Sequence, residues 1–166
     1  MAPVIDQAVT WRKVEERLAT ESDPVLRRNL ETILAHMKSE SAGDIDGLLD
    51  TLADNVHYHA YGAPDPRSSP EGKDGVRAFY EQIFEAFESP PLTFHEVLWA
   101  GDTCTIRFTM GGRHVAEFMG VPATGAQIQL HGITTLRFAG ERVIERHSVA
   151  DMLGLLVQLG AVSAHA

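Results

Sequence analysis

The spacing of apolar residues changes once along this chain, and that change limits what it can fold into. Before Phe87 they recur mostly three and four positions apart, whereas from Leu92 onward they alternate with polar residues. The first spacing suits a helix packed on one face, the second a strand with one face buried. Trp11, Val14 and Leu18 form the stripe of a helix over Ala8 to Thr20. Asp23 is an N-cap followed by Pro24 at the first helical position, and Leu26, Leu30, Ile33, Leu34 and Met37 line the next helix as far as Gly43. Asp44 caps a shorter helix with Ile45, Leu48, Leu49 and Leu52 on one face, closed by Asp54-Asn55. One early strand interrupts the helices, with Val56, Tyr58 and Ala60 alternating against His57, His59 and Tyr61. Gly62 to Gly75 contains three prolines and three glycines, so it reads as a loop, long enough to act as a lid. A last helix, Gly75 to Phe87, stops before Pro90-Pro91.

Four strands are expected after that point: Leu92 to Ala100, Thr103 to Met110, Gln127 to Phe138 and Val143 to Ala150. The Gly101-Asp102 and Gly140-Glu141 turns join two pairs as hairpins, and Gly112 to Gly125 has room for a further short strand around His114 to Phe118. Helices followed by an antiparallel sheet define an α+β chain. Its 166 residues fit one domain, large enough to bury a core without disulfides or a structural metal. A net charge of −9 opposes binding to nucleic acid or anionic lipid. No apolar run approaches the roughly 20 residues of a membrane helix, and the N-terminus lacks the apolar block of a signal peptide. The single Cys104 forms no disulfide within the chain, and a cytoplasmic location is expected.

Asp151 is the first residue considered for chemistry. It precedes Met152, Leu153, Leu155, Leu156 and Leu159, so it suits the N-cap of a terminal helix. A carboxylate among apolar side chains is also a candidate proton acceptor, and the two roles are compatible. His57, His59 and Tyr61 share one strand face and would suit a pocket wall. The His-x-His spacing is also that of a metal site, although no glutamate follows shortly after to complete one. His147 shares a strand face with Asp151. Whether His131 joins them depends on register: a strict two-residue turn sets Asp151 against Leu130, while a bulge or one extra residue sets it against His131. Arg107, Arg137 and Arg146 are expected as outward strand charges or partners of Glu96 and Glu145, with a single Arg reaching a substrate oxygen as the alternative, and His95 and His114 as surface or packing residues. The sequence has no phosphate-binding loop, serine elbow or Cys-x-x-Cys pair.

Three stretches carry a resemblance: NLETILAHMKSESAGDIDGLLDTLADNVHYHAYG, EFMGVPATG and GERVIERHSVADMLGLLVQLG. From about Leu26 to Gly160 the chain resembles the SnoaL-like polyketide cyclases, or ester cyclases, of the nuclear transport factor 2-like superfamily. Residues 1–22 look like a helical extension to a single domain of residues 23–166. The resemblance implies a cone-shaped, curved antiparallel sheet packed on N-terminal helices, one deep apolar pocket, and a homodimer formed through the outer face of the sheet. It implies ring closure by intramolecular aldol condensation without metal or cofactor. The family's acid/base aspartate matches Asp151, and a strand histidine matches His59, with His131 as a second candidate. His147 stands where the family has an aromatic residue, often Trp.

The expectation is therefore an acid/base enzyme, using no cofactor and no metal, that makes or breaks a carbon–carbon bond in a small aromatic or polycyclic compound. Asp151, His59 and His131 would be catalytic. His57, Tyr61, His147, Tyr80, Phe84 and Trp99 would bind substrate. Dehydratase, isomerase and epoxide hydrolase activities, a non-catalytic ligand-binding module, and a metal held by His57 and His59 are the alternatives.

Overall fold

The computed structural model describes residues 7–88 and 92–163. Residues 1–6 of the expected extension, and the Pro90-Pro91 stop, lie outside them. In chain order the elements are α1 (Gln7–Thr20), α2 (Pro24–Ala42), α3 (Ile45–Asp50), β1 (Leu52–Tyr61), α4 (Gly72–Ala86), β2 (Phe87–Glu88), β3 (Leu92–Ala100), β4 (Thr103–His114), β5 (Gln127–Ala139), β6 (Arg142–Ala150) and α5 (Met152–Gln158). The start of α2 follows from its capping chemistry. Asp23 Oδ1 accepts from the Val25 and Leu26 amides at 2.8 and 3.2 Å, taking up two donors that the first helical turn leaves free.

The strands form one curled sheet in the order β1-β6-β5-β4-β2, with β3 also pairing with β4. It is mixed rather than purely antiparallel, because β1 runs parallel to β6. The two are not joined by a hairpin, so no turn forces them to oppose one another. The β5–β6 hairpin begins with Ala139 opposite Arg142, and a bulge between Arg137 and Phe138 then moves the register by one. His147 consequently faces Thr135, Ala150 faces Gly132, and the Asp151 amide donates to the His131 carbonyl at 2.9 Å. Of the two registers open to the sequence, the bulged one is realised.

The concave face carries the core. Val56 and Tyr58 from β1, Ile106 and Phe108 from β4, Leu136 and Phe138 from β5 and Val143 from β6 pack against Val14, Leu30, Ile33, Met37, Val76 and Tyr80 of the helices. Burying an aliphatic or aromatic side chain of this kind contributes about 1.5–3 kcal/mol. α1 joins this core, with Trp11 6.3 Å from Phe94. A second cluster, Phe87, Met110, Phe118, Ile128, Leu155 and Leu159, fixes α5 to the far end of the sheet. Gly132 lets the curled strands approach closely, since a Cβ there would come within 2.5 Å of the Phe108 ring.

Several expected boundaries shift. α3 ends at Asp50, and Asp54-Asn55 lies inside β1, within its irregular stretch between Leu52 and His57. The proline-rich segment is no free-standing lid. It forms a short 3-10 turn at Pro66–Ser68 and then runs along β1, where the Tyr58 amide donates to the Pro70 carbonyl at 3.0 Å and the Ala60 amide to Ser69 Oγ at 3.0 Å. α4 begins three residues earlier than Gly75, at Gly72. The expected strand around His114 to Phe118 is instead the end of β4, which pairs with β2, followed by an isolated bridge between Phe118 and Val121. Among the described residues, no helix is long and apolar enough to cross a membrane.

Candidate active site

Alternation along β1 and β6 sends Tyr58, Arg146 and Ser148 to the concave face, and the parallel register makes Tyr58 and Arg146 direct neighbours. Arg146, expected to point outward, is instead drawn into the core, its side chain 11% exposed. The physical reason is a partner on another element: Glu40, on α2, is equally buried and its carboxylate lies 3.9 Å from the guanidinium. Arg146 Nη1 donates to the Tyr80 hydroxyl at 2.8 Å, and that hydroxyl donates to Glu40 Oε1 at 2.7 Å. Arg146 Nε donates to Thr134 Oγ1 and Ser148 Oγ, both at 3.1 Å. Arg146, Tyr80 and Glu40 are thus each held by a neighbour, as buried charge requires.

Burial sets the protonation of the cluster. Burial opposes the charge on Arg146, but the oxygens of Tyr80, Glu40 and Tyr58 outweigh it and hold the guanidinium protonated. Burial pushes the Tyr58 hydroxyl up to about 12 and Tyr80 well above the ordinary tyrosine value, so both remain neutral. Nearby, His36 donates or accepts through Nδ1 with Thr51 Oγ1 at 2.7 Å, and burial lowers its pKa to about 4.

A cavity of about 110 Å³ opens beside this cluster. Phe79, Ile83, Phe84, Phe108, Met110 and Phe118 supply apolar walls, while Glu40, Tyr80 and Arg146 form a polar end. Tyr80 and Phe84 both adjoin it, Phe84 in the walls and Tyr80 at the polar end. Trp99 does not: it packs on Phe138, with ring centroids 5.6 Å apart, and is absent from the lining.

The histidines occupy the other face. His57, His59 and Tyr61 do share a side of β1, but it is the outer one, because Val56 and Tyr58 take the concave side. His59 borders the cavity, yet its ring stacks on His57 at 4.2 Å and on His147 at 4.5 Å. Burial, followed by the nearby His57 and His147, lowers the His59 pKa. Tyr61 Oη and His147 Nδ1 are 2.9 Å apart. His131 is also on the outer face, where Thr109 Oγ1 lies 2.9 Å from His131 Nδ1 and 2.7 Å from His95 Nε2. Arg107 and Arg137 pair with Glu96 and Glu145 there, as the sequence suggested. His114 is a packing residue, wholly buried, with its ring against Phe87 and Nδ1 3.0 Å from Thr124 Oγ1.

Asp151 caps α5, accepting from the Gly154 amide at 2.8 Å. Its side chain is exposed rather than enclosed by apolar walls, and the cavity is lined by its neighbours Ala150 and Met152 on either side. Asp151 itself is not among the residues that line the cavity.

A curled sheet packed on helices around a polar-ended cavity is the cone-shaped nuclear transport factor 2-like fold. A family model for SnoaL-like polyketide cyclase matches residues 26–159, and the chain belongs to that family. Among solved structures, it is similar to a protein from Jannaschia sp. CCS1 described as a candidate SnoaL-like polyketide cyclase, with 23% identity, a TM-score of 0.75 and coverage of 86% of this chain and 99% of that one. It is similar to IdmH of Streptomyces antibioticus, described as a candidate polyketide cyclase, with 25% identity, a TM-score of 0.65 and coverage of 78% and 96%. AclR of Streptomyces galilaeus, described as a candidate hydroxylase, has 24% identity, a TM-score of 0.70 and coverage of 83% and 98%. No curated protein matches.

Proposed function

We propose that this protein is an acid/base enzyme that makes or breaks a carbon–carbon bond beside a carbonyl group in a small aromatic compound. The observation that carries this reading is the polar end of the cavity, where a charged Arg146 and a neutral Tyr80 adjoin apolar walls. A substrate ring would lie against Phe84 and Phe108, with its carbonyl oxygen toward Arg146. Loss of a proton from the adjacent carbon moves charge onto that oxygen, and fixed donors in a poorly solvated site stabilise such charge strongly. Glu40 is already engaged by Tyr80 and Arg146, so its part is to hold them. Asp151, exposed and flanked by the cavity-lining Ala150 and Met152, is proposed as the proton acceptor, its carboxylate engaged by one backbone amide. His59 and His131 are given no part in this scheme, since the His59 ring is held in the stack with His57 and His147 and His131 lies on the outer face.

Cavity size supports a small substrate. An apolar cavity of roughly 150 Å³ takes up benzene, so one of about 110 Å³ encloses no more than a single ring, and a larger substrate would extend beyond it. The fold leaves the reaction open, as structural relatives described as candidate cyclase and candidate hydroxylase illustrate. Homodimer formation through the outer face belongs to the same proposal, supported by the exposure of Tyr61, Leu98, Ile133 and Val149. Product detection by mass spectrometry with aryl β-hydroxy ketones and polyketide esters tests the reading. Turnover that falls in Asp151→Asn and Tyr80→Phe, both folded, supports it, and wild-type rates in both variants exclude it.

A further inference from the structure

On the outer face, the parallel β1–β6 register places His59 opposite His147, and Glu145 lies two residues before His147 on the same side. One potential ligand atom from each of these three residues lies within 4.8 Å of the other two. We propose that His59, His147 and Glu145 bind a divalent transition metal of the zinc class, at a site on the outer face of the sheet. Two imidazoles and a carboxylate form a donor set that such ions prefer, leaving a coordination position for water. Bonds of about 2.0–2.1 Å in a tetrahedral site would require the three atoms to draw together by side-chain rotation, the metal replacing the stack of the two rings.

The surroundings favour this set over the His57–His59 pair suggested by sequence spacing. His57 is turned to Glu71, with Nε2 3.3 Å from Oε1. The Tyr61 hydroxyl engages His147 Nδ1 and leaves Nε2 toward Glu145, 3.6 Å from Oε2. A hydrogen bond to the second ring nitrogen is how proteins fix a metal-binding histidine, and losing such a partner costs roughly 10–100-fold in affinity. Arg137 engages Glu145 through Oε2 and leaves Oε1 without that ion pair. Because the ligands come from β1 and β6, a bound ion would also pin the parallel edge of the sheet.

The test is zinc binding to untagged, chelator-treated protein, measured by isothermal titration calorimetry with metal content checked by elemental analysis. The expected result is one zinc per chain, with affinity lowered about tenfold or more in His59→Gln and His147→Gln, lowered in Tyr61→Phe, and unchanged in His57→Gln. Zinc should raise the Tm of the wild type but not of His147→Gln. Absence of stoichiometric binding overturns the proposal, as does binding that survives both ligand substitutions or depends equally on His57. All variants are compared after circular dichroism confirms folding, and Glu145→Gln serves in place of either histidine variant that fails that check.

Discussion

Arg146 lies directly across the parallel β1–β6 pair from Tyr58, with its guanidinium carbon 5.0 Å from the tyrosine ring centroid. This neighbour relation, with Glu40 and Tyr80 beside it, turns a charge on a strand into the polar end of a buried cavity. It also sets up an energetic asymmetry. Removing one partner of a buried ion pair costs about 3–5 kcal/mol, whereas replacing both by apolar residues of similar size is often neutral. Arg146→Gln should therefore lower stability by about that much, and Glu40→Leu with Arg146→Met should lower it less. Urea denaturation of both variants measures the difference.

His36 gives the fold a defined pH dependence. Its pKa is about 4 in the folded chain, against about 6.5 for an unperturbed histidine. Between those values the unfolded chain takes up the proton and the folded chain does not, so stability is full above about pH 6.5 and declines as pH falls toward 4. The contribution is on the order of 3 kcal/mol. Denaturation at several pH values should show a shallower slope in His36→Gln than in the wild type.

Cys104 is wholly buried, and burial pushes its thiol pKa well up. Since the thiolate is the reactive form, a thiol reagent should leave the native protein unlabelled and modify one cysteine after denaturation. Rapid labelling under native conditions would show that β4 opens readily.

Gly154 is packed against the Asp151 carboxylate, with no space for a Cβ. Gly154→Ala should displace that carboxylate and weaken the α5 cap, at a cost of about 1 kcal/mol. Thermal unfolding reads the loss of stability. If Asp151 is the proton acceptor, kcat should fall further than that modest loss explains.

Element types and the two hairpins were legible because period and capping signals are local: Asp23-Pro24, the hairpin glycines and the alternation after Leu92 all lie within a few residues of what they specify. Which strand face turned inward was less accessible. His57, His59 and Tyr61 suggested a pocket wall, but the larger gain from burying Val56 and Tyr58 put them outside. Arg146 was misread because its partners, Glu40 and Tyr80, lie 106 and 66 positions away, and no local pattern announces such a cluster. Glu40 was missed for the same reason; a charged residue near the apolar face of α2, with no helical counter-charge of its own, was the available signal. The bulge at Arg137 and Phe138 settles the Asp151–His131 register, and a break of that kind has no signature in the turn sequence.

The most direct test of the central claim is the rate of product formation by wild type, Tyr80→Phe and Asp151→Asn with a single-ring β-hydroxy ketone, followed by mass spectrometry under conditions where all three are folded. The account predicts a fall of about 10²-fold or more in Asp151→Asn, the scale of a lost general base, and a smaller fall in Tyr80→Phe. Turnover at the wild-type rate in both variants would contradict it.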